Sequence, residues 1–75
     1  MKKDTYNKKL EKLGEKIRQY RSQNKLSQEE LADLCGFDRT YISLIERGKR
    51  NLSFCNLCIF SDSFNISVSD LLKDI

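Results

Sequence analysis

Apolar residues recur at three- and four-residue steps along most of this chain. Leu10, Leu13, Ile17 and Tyr20 follow one another in that rhythm, with Lys, Glu, Arg and Gln between them. This is the stripe of an amphipathic helix, and it predicts one from about Tyr6 to Gln23. Gly14 lies inside it at a cost of about 1 kcal/mol relative to alanine, so a close approach by another backbone is expected there. Residues 1–5 precede the stripe and read as a flexible basic arm.

Capping patterns mark the helices that follow. Ser27-Gln28-Glu29-Glu30 is a capping box: the Ser27 hydroxyl can accept from the Glu30 amide while the Glu30 carboxylate reaches back to the Ser27 amide. A short second helix is expected over about Ser27–Cys35, with Leu31, Ala32 and Cys35 inward and Gly36 as its left-handed stop. Phe37 should pack in the turn and Asp38 should cap a third helix over Arg39–Arg47, ended by Gly48. Ser53 is the expected cap of a fourth helix running to about Phe64, with Leu57, Phe60 and Phe64 as its core stripe. Ser67 and Asp70 repeat the capping box before a last short helix carrying Val68, Leu71 and Leu72. No proline, repeat or linker interrupts the sequence. The expectation is an all-α, compact five-helix bundle forming one domain over residues 1–75.

Composition narrows the function. At 75 residues the chain has room for one thin core, and 39% hydrophobic residues suffice to build it. Histidine is absent, which removes Ser-His-Asp and Cys-His nucleophile pairs and any histidine base. There are three glycines and no glycine-rich phosphate loop, so no enzyme chemistry, cofactor or small-molecule ligand is expected. No apolar run approaches the roughly 20 residues of a membrane span, nor does an apolar stretch follow the N-terminal lysines as an export signal would. The chain is expected to work in the cytoplasm. Its net charge of +3 is unevenly spread: residues 1–25 carry nine Lys/Arg against three acids, whereas the middle and last thirds are net acidic. That polarity suits an oriented anionic partner such as nucleic acid or a membrane surface, and equally a solvated basic helix face.

The segment from Ser27 to Arg47 separates these readings. A nine-residue helix, a tight Gly36 turn and a second helix opening on polar residues have the spacing of a helix-turn-helix. The second helix of such a motif enters the major groove by its N-terminal end, so that end needs long or hydroxylic side chains, here Arg39, Thr40 and Ser43. Ile42 and Ile45 would lock it to the first helix. The first helix meets the phosphate backbone by its own N-terminus, where free amides and Gln28 can bind an oxyanion. A membrane-binding amphipathic peptide would need neither the glycine turn nor two capping boxes.

The string Leu26-Ser27-Gln28-Glu29-Glu30-Leu31-Ala32, then Gly36, Ile42-Ser43 and Ile45-Glu46-Arg47-Gly48, closely resembles the lambda-repressor-like (Xre-type) DNA-binding domains over about Leu13 to Leu72. Asp38-Arg39-Thr40-Tyr41-Ile42-Ser43, with Arg50-Asn51-Leu52, is similar to a narrower group, the controller proteins of restriction–modification systems. The resemblance implies a sequence-specific regulator of transcription on double-stranded DNA, controlling restriction–modification genes. A phage or mobile-element repressor, and an antitoxin-type protein-interaction module, are alternatives with the same DNA-binding domain. It implies base-reading roles for Arg39, Thr40, Ser43 and Arg50, and positions near the DNA backbone for Gln28, Tyr41, Arg47 and Asn51. Leu44 departs from the family pattern, where a polar reader is common. Arg18 and Arg21 could line the same side or pair with Glu15 or Glu46; Glu46 reads as structural, and Tyr41 could instead pack on Gln28.

Cys55 and Ile59 stand where the wider family usually places polar residues. Four apart, they give the fourth helix a second apolar stripe, which with Leu72 and Ile75 reads as the surface of a homodimer bound to a pseudo-palindromic operator. Cys55-Asn56-Leu57-Cys58 is a lone CxxC; with only Cys35 besides and no histidine, a metal site is not expected. The three thiols are expected to be reduced and mostly buried.

Overall fold

A computed structural model describes residues 3–75. Five helices follow one another: α1 (Lys3–Gln23), α2 (Gln28–Cys35), α3 (Arg39–Glu46), α4 (Phe54–Ser63) and α5 (Val68–Leu71). There is no strand among the described residues. The helix α1 starts at Lys3, ahead of the expected Tyr6, so residues 3–5 of the expected arm are helical backbone. Residues 1 and 2 of that arm lie outside the described residues.

The caps explain the starts. Ser27 Oγ accepts from the Glu30 amide at 3.0 Å, and Glu30 Oε1 accepts from the Ser27 amide at 2.8 Å. These bonds hold the Glu30 carboxyl below its ordinary pKa, the backbone bond being the larger cause. Ser53 caps α4 through the Asn56 amide at 3.1 Å, and Ser67 with Asp70 closes a second capping box on α5. Asp38 does stand at the N-cap of α3, but its side chain makes no capping hydrogen bond. The residue type is right and the contact is not made.

The stops share one geometry. Lys25, Gly36, Gly48 and Asn65 all have φ between 56° and 75°, in the left-handed region. After each, the next amide reaches back over the turn: Leu26 to Arg21 O, Phe37 to Ala32 O, Lys49 to Leu44 O, Ile66 to Ser61 O. This is the Schellman closure, and in three of the four cases an apolar residue follows it into the core side.

Leu13 and Ile17 of α1, Leu31 and Ala32 of α2, Ile42 and Ile45 of α3, Phe60 and Phe64 of α4 and Leu71 of α5 form the core. Phe37, in the α2–α3 turn, packs on Phe60 with ring centroids 5.4 Å apart, and Tyr20 stacks on Phe64 at 5.5 Å. Gly14 is where α1 meets α3 backbone to backbone: a Cβ there would lie 2.7 Å from the Glu46 carbonyl oxygen and overlap that of Ile45. The expected close approach is thus to the end of α3. Among the described residues no helix is long and apolar enough to cross a membrane.

Candidate nucleic-acid interface

With its inner face fixed by Ile42 and Ile45, α3 turns the opposite face outward. Arg39, Thr40 and Arg47 are exposed and Ser43 is half-buried, at spacings that share one side of the helix. Leu44, beside them, is half-buried. Arg47 Nε bends back to the Ser43 carbonyl at 3.3 Å. The loop after α3 carries Lys49, Arg50 and Asn51, all exposed, and is anchored by Leu52 against the core. Lys49 was not singled out from sequence, although it extends the same run of cations.

Tyr41 is half-buried and does not pack on Gln28. Its ring meets Phe37 edge-on at 4.8 Å, and its hydroxyl accepts from Asn56 Nδ2 at 2.8 Å. The Arg50 guanidinium sits 5.3 Å from the Tyr41 ring centroid, a cation–π contact that limits where this arginine can reach. Arg50, from the loop, and Arg39, from the start of α3, are therefore set by different restraints.

Behind the exposed residues lies one ion pair. Arg21 Nε donates to Glu46 Oε2 at 2.6 Å and Nη2 donates to Oε1 at 3.0 Å, in a fork whose glutamate side chain is 3% exposed. The bond to Glu46 raises the Arg21 pKa above its ordinary value, outweighing the effect of burial. Gln28 Nε2 donates to the same Oε1 at 3.1 Å. Of the alternatives for Arg21, pairing with Glu46 is therefore the one found, whereas Arg18 is exposed. Arg21–Glu46 is the only ion pair among the described residues, so Arg39, Arg47, Lys49 and Arg50 have no carboxylate partner among them.

The basic N-terminal helix divides its charge. Lys9 Nζ donates to the Ile75 carbonyl at 3.1 Å and Lys16 Nζ to the Asp70 carbonyl at 3.4 Å, both at the C-terminal end of the chain. Glu11 and Gly14, in contrast, face the end of α3. Lys9 and Lys16 thus reach the C-terminal end of the chain from a different side of α1 than the one that meets α3.

The second apolar stripe is partly as expected. Cys55 is exposed and Leu72 is 37% exposed, while Ile59 is half-buried and lines a shallow groove with Leu34, Asp62 and Ser63. Ile75 is half-buried against the core and borders Lys12 and Lys16 of α1. Two larger apolar exposures were not anticipated, Leu34 at 60% and Phe54 at 69%. The thiols are all free: Cys35 and Cys58 are half-buried and Cys55 is exposed, so "mostly buried" fails for Cys55. Burial pushes the Cys35 thiol pKa up, against the opposing effect of its hydrogen bond with Ser63.

Comparison with known proteins adds family to geometry. The helix-turn-helix family model matches residues 17–71. The control protein C.SmaI of Serratia marcescens is 47% identical over 60 residues, covering 80% of this chain and 71% of that protein. The crystal structure of the restriction-modification controller protein C.AhdI from Aeromonas hydrophila superposes with a TM-score of 0.80 at 40% identity, covering 83% of this chain and 94% of that one. SinR, a master regulator for biofilm formation solved in complex with DNA, superposes with a TM-score of 0.77 at 37% identity over 81% of this chain and 98% of that one.

Proposed function

The chain belongs to the helix-turn-helix family, among the restriction–modification controller proteins, and is a DNA-binding transcription regulator; from that premise we propose that it acts in the cytoplasm as a homodimer on a pseudo-palindromic operator. Arg39, Thr40, Ser43 and Arg50 read base edges. Gln28, Tyr41, Arg47 and Asn51 lie along the sugar–phosphate backbone. The genes controlled are those of a restriction–modification system.

One observation carries the assignment of readers. Arg39 occupies the first position of α3, at the positive end of the helix dipole, exposed and without a carboxylate partner among the described residues. A cation there is mildly unfavourable for the free protein. An anionic, acceptor-rich ligand such as the guanine edge with its flanking phosphates removes that cost. The two copies meet through Cys55, Ile59 and Leu72, with Phe54 and Leu34 as exposed apolar neighbours and Ile75 contributing less because it already packs against the core. Two recognition helices about 34 Å apart supply the specificity that one helix reading a few base pairs lacks.

The test begins with duplexes recovered by selection from random DNA. Their affinity should fall steeply with salt, with a log–log slope of about −5 for a dimer neutralising about six phosphates. A slope near zero on duplex DNA would remove the assignment.

A further inference from the structure

Three chain segments converge on the Glu46 carboxylate. It arrives from the last turn of α3, is almost fully buried, and accepts twice from Arg21 and once from Gln28. Arg21 comes from the last turn of α1 and spends its remaining fork nitrogen, Nη1, on the Leu26 carbonyl at 2.9 Å. Leu26 immediately precedes Ser27, the cap of α2, and Gln28 is the first residue of that helix. A single arginine thus ties the loop entering α2 to the far end of α3.

The chemistry of the three partners fixes an orientation. A carboxylate paired with arginine can only accept, so the Gln28 amide must turn its nitrogen, not its oxygen, toward Glu46. An amide nitrogen carries two hydrogens in a rigid plane. With one committed to Glu46, the direction of the other is set, and Gln28 remains partly open to solvent. A free surface glutamine would lose side-chain entropy on meeting a phosphate; this one has already lost most of it in folding.

We propose that Glu46, held by Arg21, is a positioning residue that presets the Gln28 amide so that its second N–H meets a DNA phosphate. The proposal rests on the reading of Gln28 as a backbone contact. It makes the ion pair part of DNA recognition as well as of the fold, although neither Arg21 nor Glu46 touches DNA through it.

A double-mutant cycle tests it on a duplex recovered by selection. Gln28→Ala should weaken binding about tenfold, Glu46→Gln by a similar factor, and the pair together still by about tenfold, because both remove one contact. Scanning that duplex with single neutral methylphosphonates should reveal one phosphate per half-site whose replacement weakens the wild type but not Gln28→Ala. Glu46→Gln should be equally indifferent to it, a readout that mere loss of stability would not move. Should Glu46→Gln unfold the protein, Arg21→Met with Glu46→Met replaces the pair by apolar packing, which preserves folding in comparable buried pairs. That variant should fold and show the same indifference. Independent losses multiplying to about a hundredfold, or a folded Glu46 variant that still senses the phosphate, would overturn the proposal. Wild-type affinity in Gln28→Ala would instead remove the Gln28 contact, and the proposal with it.

Discussion

The α3 face and the α4 face of this domain are built on opposite plans. Behind α3 the scaffold is pinned at backbone level, with Gly14 against the Ile45 and Glu46 carbonyls and Gly48 against Glu11. In front of it stand long polar side chains, among them Arg39 and Arg47, which no carboxylate among the described residues holds. On α4 the polar work is done inside, where Ser61 and Ser63 bond to the carbonyls of Cys58 and Ile59. Facing out beside Asp62 are Phe54 and Cys55, and Phe54 and Leu34 of α2 are the most exposed large hydrophobics among the described residues. Neither α2 nor α4 contains a single Lys or Arg. Exposed cations stand on the α3 side, whereas α2 and α4, where the contact between two copies is proposed, carry none. Rigidity behind the proposed readers matters because a base edge is recognised at hydrogen-bond precision, whereas apolar burial tolerates small shifts.

That contrast can be broken from either side. The largest effect is expected from Ile59→Glu, which sets two like charges against each other across the proposed dimer face. The variant should stay folded, sediment as a monomer at tens of micromolar where the wild type is a dimer, and lose about a hundredfold in operator affinity with the loss of bivalency. An Ile59→Glu protein that still dimerises moves the contact elsewhere, Phe54 being the next surface to test. A smaller effect is expected from Gly14→Ala, which strikes the scaffold behind α3. Alanine favours the helix by about 1 kcal/mol, yet its Cβ would meet backbone carbonyls that cannot swing aside, so net destabilisation of about 1–3 kcal/mol is expected in thermal unfolding. An unchanged melting temperature would mean that α1 does not press on α3 in this way.

What the sequence made legible follows the range of the interactions. Both capping boxes are local, each joining residues three apart, and Ser27–Glu30 and Ser67–Asp70 form as their spacing implies. Gly36 and Gly48 announce their turns; Lys25 does not, because lysine carries no turn signal and takes its left-handed conformation from the Schellman bonds around it. Asp38 shows the limit even of local rules, since a capping residue in the right place can leave its side chain uncommitted. The contacts that shape the interface are non-local. Gln28 meets Glu46 across 18 positions and Tyr41 meets Asn56 across 15, and nothing in the spacing of either pair marks them. Exposure of Leu34 and Phe54 was equally hidden, because it depends on which neighbours fail to cover them. The outward positions of Arg39 and Thr40 follow from the inward ones of Ile42 and Ile45, and Arg47, to which the family resemblance points, is exposed as well.

Whether the start of α3 reads bases is measured most directly by Arg39→Ala. Affinity should be compared on the duplex recovered by selection and on random duplex, at the same salt. The expected outcome is a loss of about 1–3 kcal/mol on the selected site, relaxed preference at one base pair per half-site, and a clearly smaller loss on random DNA. Equal losses on both duplexes would mean that Arg39 meets only phosphate, and the reading face assigned to α3 would be contradicted.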